Sequence, residues 1–278
     1  MLAAFLITLR EGLEAALVVS ILIAYLVKTD RGGSVRYVWA GVGAAAVFSL
    51  AVGGALAVAA DELPEQAQAA FEGTMALLAV GFVTWMVFWM RRASRSISGE
   101  LRGRLDDALA VGAGAVFMTG FVATAREGLE TAVFLWTTAR ASGDTGVGPA
   151  VGAALGIAVA VLLGWLLYRK AVQIDLGRFF RWTGVALIVV AAGVLAYAVH
   201  DLQEAGVLPG GDTLMFDVSG TVSPSSPLAE VVHGVLNLTP AMTVLQVLAW
   251  LGYLVATMTA FLRRQPAQTL AQVDVAAQ

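Results

Sequence analysis

Cysteine is absent from the 278 residues, which excludes disulfides, thiolate metal sites and cysteine nucleophiles. Charge is scarce as well. Charged residues make up 13% of the chain against 59% hydrophobic, and the mean hydropathy is +0.80. A soluble domain carries roughly 25% charged residues, so the composition is that of an integral membrane protein. An excess of one sign is lacking too: a net charge of -3 singles out no acidic or basic partner, and nucleic acid is not expected. No basic stretch precedes the first apolar run, so Met1 to Val27 reads as a first span rather than a cleavable signal peptide.

What the chain does have is apolar runs of membrane-crossing length, about 20 residues each. Seven qualify: roughly 2–27, 37–60, 71–90, 110–139, 148–168, 180–200 and 242–262. Gly and Ala recur within them, as in "AGVGAAAVFSLAVGGALAVAA", which permits close helix packing. Lys and Arg sort to one side. Apart from Arg10, Arg126 and Arg140, all of them fall in the linkers 28–36, 91–107 and 169–181 or in the tail from Arg263. The linkers 61–70 and 201–241 are acidic instead, with Asp61, Glu62, Glu65, Asp201, Glu204, Asp212, Asp217 and Glu230. Positive residues stay on the cytoplasmic side. The expectation is therefore an all-α integral membrane protein of seven transmembrane helices, N-terminus out and C-terminus in. Trp39, Trp89, Trp165 and Tyr168 fall near the inner ends, where an aromatic belt belongs.

The sequence repeats itself. "LREGLEAALVV" at 9–19 returns as "AREGLETAVFL" at 125–135, and "FEGTMALLAV" at 71–80 is weakly echoed by "FRWTGVALIV" at 180–189, with Glu72 opposite Arg181. Repeat one (1–90) thus corresponds to repeat two (110–200). The extra helix 242–262 stands alone within a single transmembrane unit 1–262, and 263–278 is a short polar cytoplasmic tail. Each repeat holds three spans, so the copies must cross in opposite senses. Inverted repeats of this kind recur in secondary transporters, with the site between the halves near mid-membrane.

The shared element is R-E-G-L-E. Glu11 and Glu14 are three apart and lie on one helix face, as do Glu127 and Glu130. Arg10 and Arg126 precede the second glutamate by four and offset part of its charge. Gly12 and Gly128 remove a side chain beside the carboxylates, so another helix can approach. Two such faces meeting would gather four carboxylates and two guanidiniums. Like charges in a poorly hydrated place resist ionising together, so the cluster is expected to hold protons when empty and exchange them for a cation. Oxygen donors without sulfur favour hard ions such as Mg²⁺, Ca²⁺, Mn²⁺ and Fe³⁺. A single Arg/Glu pair could be a packing salt bridge, but two ordered copies in opposed repeats argue for a site.

The doubled motif, the span count and the orientation resemble the oxidase-coupled iron permeases over nearly the whole chain. "FEGTMALLAV" and "HDLQEAG" at 200–206 add to the likeness. The resemblance implies iron import across the cytoplasmic membrane, with Glu11, Glu14, Glu127 and Glu130 as metal ligands and Arg10 and Arg126 in support. It also implies an extracytoplasmic oxidase or peroxidase and iron-binding partners, and hence ferric iron. No permanently bound cofactor and no enzymatic activity are expected. Alternatives are a permease for Mn²⁺ or another hard divalent cation, and a membrane-embedded metal-dependent enzyme. The enzyme reading is poorly served: di-metal carboxylate centres add Glu-x-x-His pairs, and neither motif contains histidine.

Secondary candidates lie toward the outer side. Glu72 is a candidate for loading the ion. His200, Asp201 and Glu204 are candidate entry residues, with His200 and Glu204 four apart if the helix continues to the ending signals Gly206 and Pro209. Glu230 and His233 are weaker candidates for a partner contact. Asp61, Glu62 and Glu65 read as a solvated acidic turn, and "FVTWMVFWM" at 82–90 as lipid-facing or core rather than a copper site.

Overall fold

In hydrocarbon a backbone amide has no water to bond, so an apolar run closes its hydrogen bonds within itself as a helix. The computed structural model describes residues 1–93, 97–143, 146–169, 176–217 and 239–263, and these follow that rule. Among the described residues there are eight α-helices: α1 (Leu2–Lys28), α2 (Val35–Asp61), α3 (Glu65–Ala93), α4 (Ile97–Val111), α5 (Ala113–Ala141), α6 (Val147–Tyr168), α7 (Leu176–Glu204) and α8 (Val244–Leu262). A two-stranded antiparallel ribbon pairs β1 (Leu214–Asp217) with β2 (Ala241–Thr243).

Among the described residues five helices are long and apolar enough to cross a membrane, in α2, α3, α6, α7 and α8, with mean hydropathies between 1.7 and 2.4. Helices α1 and α5 match them in length, at 27 and 29 residues, and differ by carrying the R-E-G-L-E motifs. Exposed Val47 and Leu50 of α2, Val161 and Leu162 of α6 and Val255 of α8 lie on outer faces, as expected of surfaces meeting lipid.

The helices pair chiefly as α1 with α6, α2 with α5 and α3 with α7, while α8 lies on α7. Small residues set the first two pairings. A methyl on Gly12 would stand 2.9 Å from Ala160 Cβ, one on Gly164 would stand 2.6 Å from Ala16 Cβ, and one on Gly152 would strike the Met1 carbonyl. In the other pair Gly128 faces Ser49, Gly53 faces Ala132, and Gly41 faces the Phe117 carbonyl. One constant shift in number carries Gly12, Ala16 and Met1 onto Gly128, Ala132 and Phe117. A second carries Ser49, Gly53 and Gly41 onto Ala160, Gly164 and Gly152. The two interfaces therefore share one register.

The core runs through α1, α3, α5, α7 and α8 around Ile7, Met86, Phe134, Leu187, Ile188 and Phe261. At one end of the bundle Leu22, Leu26, Val38, Leu105 and Val116 gather α1, α2, α4 and α5. At the other end Asp61, Glu72, Arg140, Tyr197 and Asp201 meet. These are called the basic and the acidic end below, after the linkers that close them.

Two elements differ from the sequence reading. The linker 91–107 contains α4, whose Leu105 and Ala108 are buried one turn apart: an amphipathic stripe too short and too charged to read as a span. The segment 201–241 contains the ribbon, which leads straight into α8. There Thr243 accepts from the Gln246 amide, Gln246 accepts from the Thr243 amide, and together they cap the helix. Helix α7 extends to Glu204 and stops at Gly206, whose φ of 73° suits glycine. Glu230, His233 and the tail beyond Arg263 lie outside the described residues.

Candidate metal site

The R-E-G-L-E residues of both copies lie in mid-helix, and their glutamates converge where α1 and α5 meet inside the bundle. Helix period places Glu11 beside Glu14. The glycine between them lets Ala160 of α6 press on one motif and Ser49 of α2 on the other, and those contacts hold the two helices in register. One carboxylate oxygen each from Glu11, Glu14 and Glu127 lies within 4.8 Å of the other two. All three residues are buried, Glu11 to 1% exposure. Oxygen ligands sit at about 2.0–2.6 Å from a hard cation, so opposite ligands are roughly 4–5 Å apart. The trio has the spacing to bracket one such ion.

Buried polar atoms normally find partners, and here they do not. Both oxygens of Glu11, Oε1 of Glu14, Oε2 of Glu127 and Oε2 of Glu130 make no hydrogen bond. The unbonded oxygens of Glu11 and Glu127, with the Arg10-paired oxygen of Glu14 beside them, are acceptors that a cation would satisfy. The donor set is all oxygen, which fits a hard ion and offers nothing to a soft one.

The fourth motif carboxylate stands outside the trio. Glu130 accepts from Arg126 Nε at 3.1 Å. In the first copy Arg10 Nη2 lies 3.2 Å from Glu14 and Nη1 lies 3.8 Å from Glu11, while its Nε makes no hydrogen bond. The two arginines, identical in sequence context, differ in surroundings. Arg10 is 1% exposed. The Arg126 side chain is 36% exposed, and its guanidinium lies 4.4 Å from the Trp89 ring and 5.3 Å from the Trp85 ring.

The secondary candidates divide. Glu72 and Asp201 are buried at the acidic end. Glu72 accepts from Tyr197 at 2.5 Å and from Gln68 at 2.8 Å, and lies 3.6 Å from Arg140. Asp201 packs nearby with its Oδ2 making no hydrogen bond. His200 and Glu204 are exposed: His200 points about 100° around α7 from Asp201, while Glu204, one turn on, lies at the rim of the same face. Asp61, read above as part of a solvated turn, is ion-paired with Arg140. Sequence reasoning passed over Tyr197 and Arg140. Arg140 had left a signal: it is the one basic residue assigned to the acidic side.

Comparison with known proteins fits this geometry. Residues 1–265 match the model of the iron permease FTR1 family. The chain is 41% identical over 264 residues to "Ferrous iron permease EfeU" of Escherichia coli O6:H1 (strain CFT073), covering 94% of this chain and 95% of that protein. The protein of the same name from Shigella sonnei (strain Ss046) gives the same figures. That from Yersinia pestis is 40% identical over 264 residues, covering 94% and 93%. No solved structure matches. The chain belongs to the FTR1 iron permease family.

Proposed function

We propose that this protein imports iron across the cytoplasmic membrane through the carboxylate trio Glu11, Glu14 and Glu127. The observation that carries the proposal is the burial of three carboxylates within one ion's reach of each other, with both oxygens of Glu11 and one of Glu127 making no hydrogen bond. The family is one of permeases, so the protein is a transporter and not an enzyme. Seven spans follow if α1 and α5 cross with the five apolar helices, the glutamates being the reason they carry charge. The shared register of the α1–α6 and α2–α5 interfaces supports reading 1–90 and 110–200 as inverted repeats. The acidic end then faces outward and the basic end inward.

Iron entering between the acidic side chains at the outer end would travel about half the bundle to reach the trio. There it takes the place of the protons that keep clustered carboxylates neutral, and it leaves toward the basic end. The donor set suits Fe³⁺, whereas the relatives are named for ferrous iron. An oxidase or peroxidase on the outer face would reconcile the two.

Purified protein in proteoliposomes should take up radiolabelled iron without another subunit, and excess Mn²⁺ should fail to displace it. Ferric citrate should outpace iron kept reduced by ascorbate. Manganese winning the competition would reassign the cargo. Uptake of reduced iron alone would remove the ferric step and the oxidase with it.

A further inference from the structure

The copies of the motif correspond residue for residue, yet they are not equally covered. The α1 half toward the acidic end is sealed: Ala3 is 2%, Ile7 1% and Thr8 0% exposed. Their counterparts in α5, Thr119, Ala123 and Thr124, lie toward the basic end and are all partly exposed. Arg10 and Arg126 show the same contrast, at 1% and 36%. A guanidinium near the midpoint of a long helix is not left facing lipid. Its partial exposure, with that of Thr119, Ala123 and Thr124, makes the side of the trio toward the basic end the less covered one.

Arg126 is held in a particular way. Its guanidinium rests over Trp89 and Trp85, whose rings stack with centroids 6.2 Å apart, and its Nε bonds Glu130 rather than any carboxylate of the trio. Helix α7 is the counterpart of α3 in the repeat, and at the positions matching Trp85 and Trp89 it carries Val194 and Ala198, which cluster with Ala3. A cation near carboxylates competes with any other cation for them. An arginine free to swing onto the trio would trap or block the ion, and an arginine parked on aromatic faces would not.

We infer that Arg126 is the exit gate of the site. Trp89 and Trp85 act as positioning residues that hold it off the carboxylates while the cation leaves, and Arg10 is the closed barrier on the opposite side. This rests on the orientation and cargo of the preceding section. Releasing the ion requires Arg126 on its perch; shielding the emptied site requires it off.

The absence of native cysteine makes the test direct. Single cysteines at Ala123 and Ile7, probed with a membrane-impermeant thiol reagent from each face, should react unequally. Ala123→Cys should label from the inner face at least tenfold faster than Ile7→Cys labels from the outer face. Adding Arg10→Gln should expose Ile7→Cys to the outer reagent, and Arg10→Lys should keep it protected. In uptake assays Trp89→Leu should lower maximal rate about tenfold with the half-saturating iron concentration unchanged, and Trp89→Phe, which keeps a ring, should restore most of it. That tenfold factor corresponds to about 1.4 kcal/mol, within reach of a single cation–π contact. Ala123→Cys inert from both faces, or Trp89→Leu transporting at the normal rate, would overturn the gate. Labelling of Ala123→Cys from the outer face alone would overturn the chain's orientation and the exit assignment with it, leaving the iron uptake itself standing.

Discussion

Glu11→Gln is expected to raise the half-saturating iron concentration by about 30-fold or more, since losing one partner of a buried charge pair costs about 2–5 kcal/mol and each 1.4 kcal/mol is tenfold. Glu127→Gln should match it, because both residues give an oxygen to the trio. Glu130→Gln should do much less, since Glu130 is held by Arg126 outside that trio. This ranking separates a ligand set from a general need for charge. Stability should move the other way. Glutamine relieves repulsion among buried carboxylates, so the iron-free variant should melt no lower than the parent. The parent, but not Glu11→Gln, should then gain stability when iron is added, because a ligand that binds only the folded state stabilises it. Thermal melts with and without iron, on protein of matched yield, check both statements. Equal loss in all three variants would dissolve the distinction between Glu130 and the trio.

Gly156→Leu is expected to remove the folded protein from the membrane. Even a single methyl on Gly156 would strike Thr8 Oγ1, lie 2.5 Å from the Phe5 carbonyl oxygen and 2.9 Å from the Leu9 amide nitrogen. Two of those neighbours are backbone and cannot turn aside. Helices α1 and α6 would have to part, breaking the hydrogen bond from Thr8 to the Ala153 carbonyl at 3.1 Å. They would also move the glutamates of α1 away from Glu127. Overpacking a well-filled core costs about 1–3 kcal/mol, and a backbone collision lies at the upper end or beyond. Gly81→Ala is the control. That position has nothing within 4 Å of an added methyl, and alanine is the better helix former by about 1 kcal/mol. Fluorescence-monitored gel filtration should show Gly81→Ala at or above parental yield, Gly156→Ala reduced, and Gly156→Leu absent as a monodisperse peak. A monodisperse Gly156→Leu protein would mean that α1 and α6 do not meet as closely as described.

The helices were legible because lipid leaves the backbone few options, so hydropathy and length locate them to within a few residues. Helix α7, read as 180–200, begins near Leu176 because its first turn is charged and amphipathic rather than apolar. The pairing of carboxylates was legible from spacing: three apart on a helix means one face, and the repeated glycine announced a close neighbour. Which oxygens converge was not legible. It depends on how far α1 and α5 are turned about their axes, which the flanking small residues of α2 and α6 decide. Three of the four motif carboxylates bring an oxygen within 4.8 Å of one another, and Glu130 stands beside them, paired with Arg126. Nor could identical R-E-G-L-E strings reveal that one arginine is sealed and the other rests on tryptophans. That difference lies in α3, where Trp85 and Trp89 occupy places filled by Val194 and Ala198 in α7. At the acidic end, exposure of His200 and burial of Asp201 follow from adjacent positions pointing roughly 100° apart around a helix, once α3 fixes which face of α7 is inward.

The most direct test is the position of the ion. Crystals of iron-loaded protein, measured at the iron absorption edge, should give one dominant anomalous peak between the carboxylates of Glu11, Glu14 and Glu127, lost in Glu11→Gln. A dominant peak beside Glu72 and Asp201, with the motif glutamates still turned to their arginines, would contradict the account.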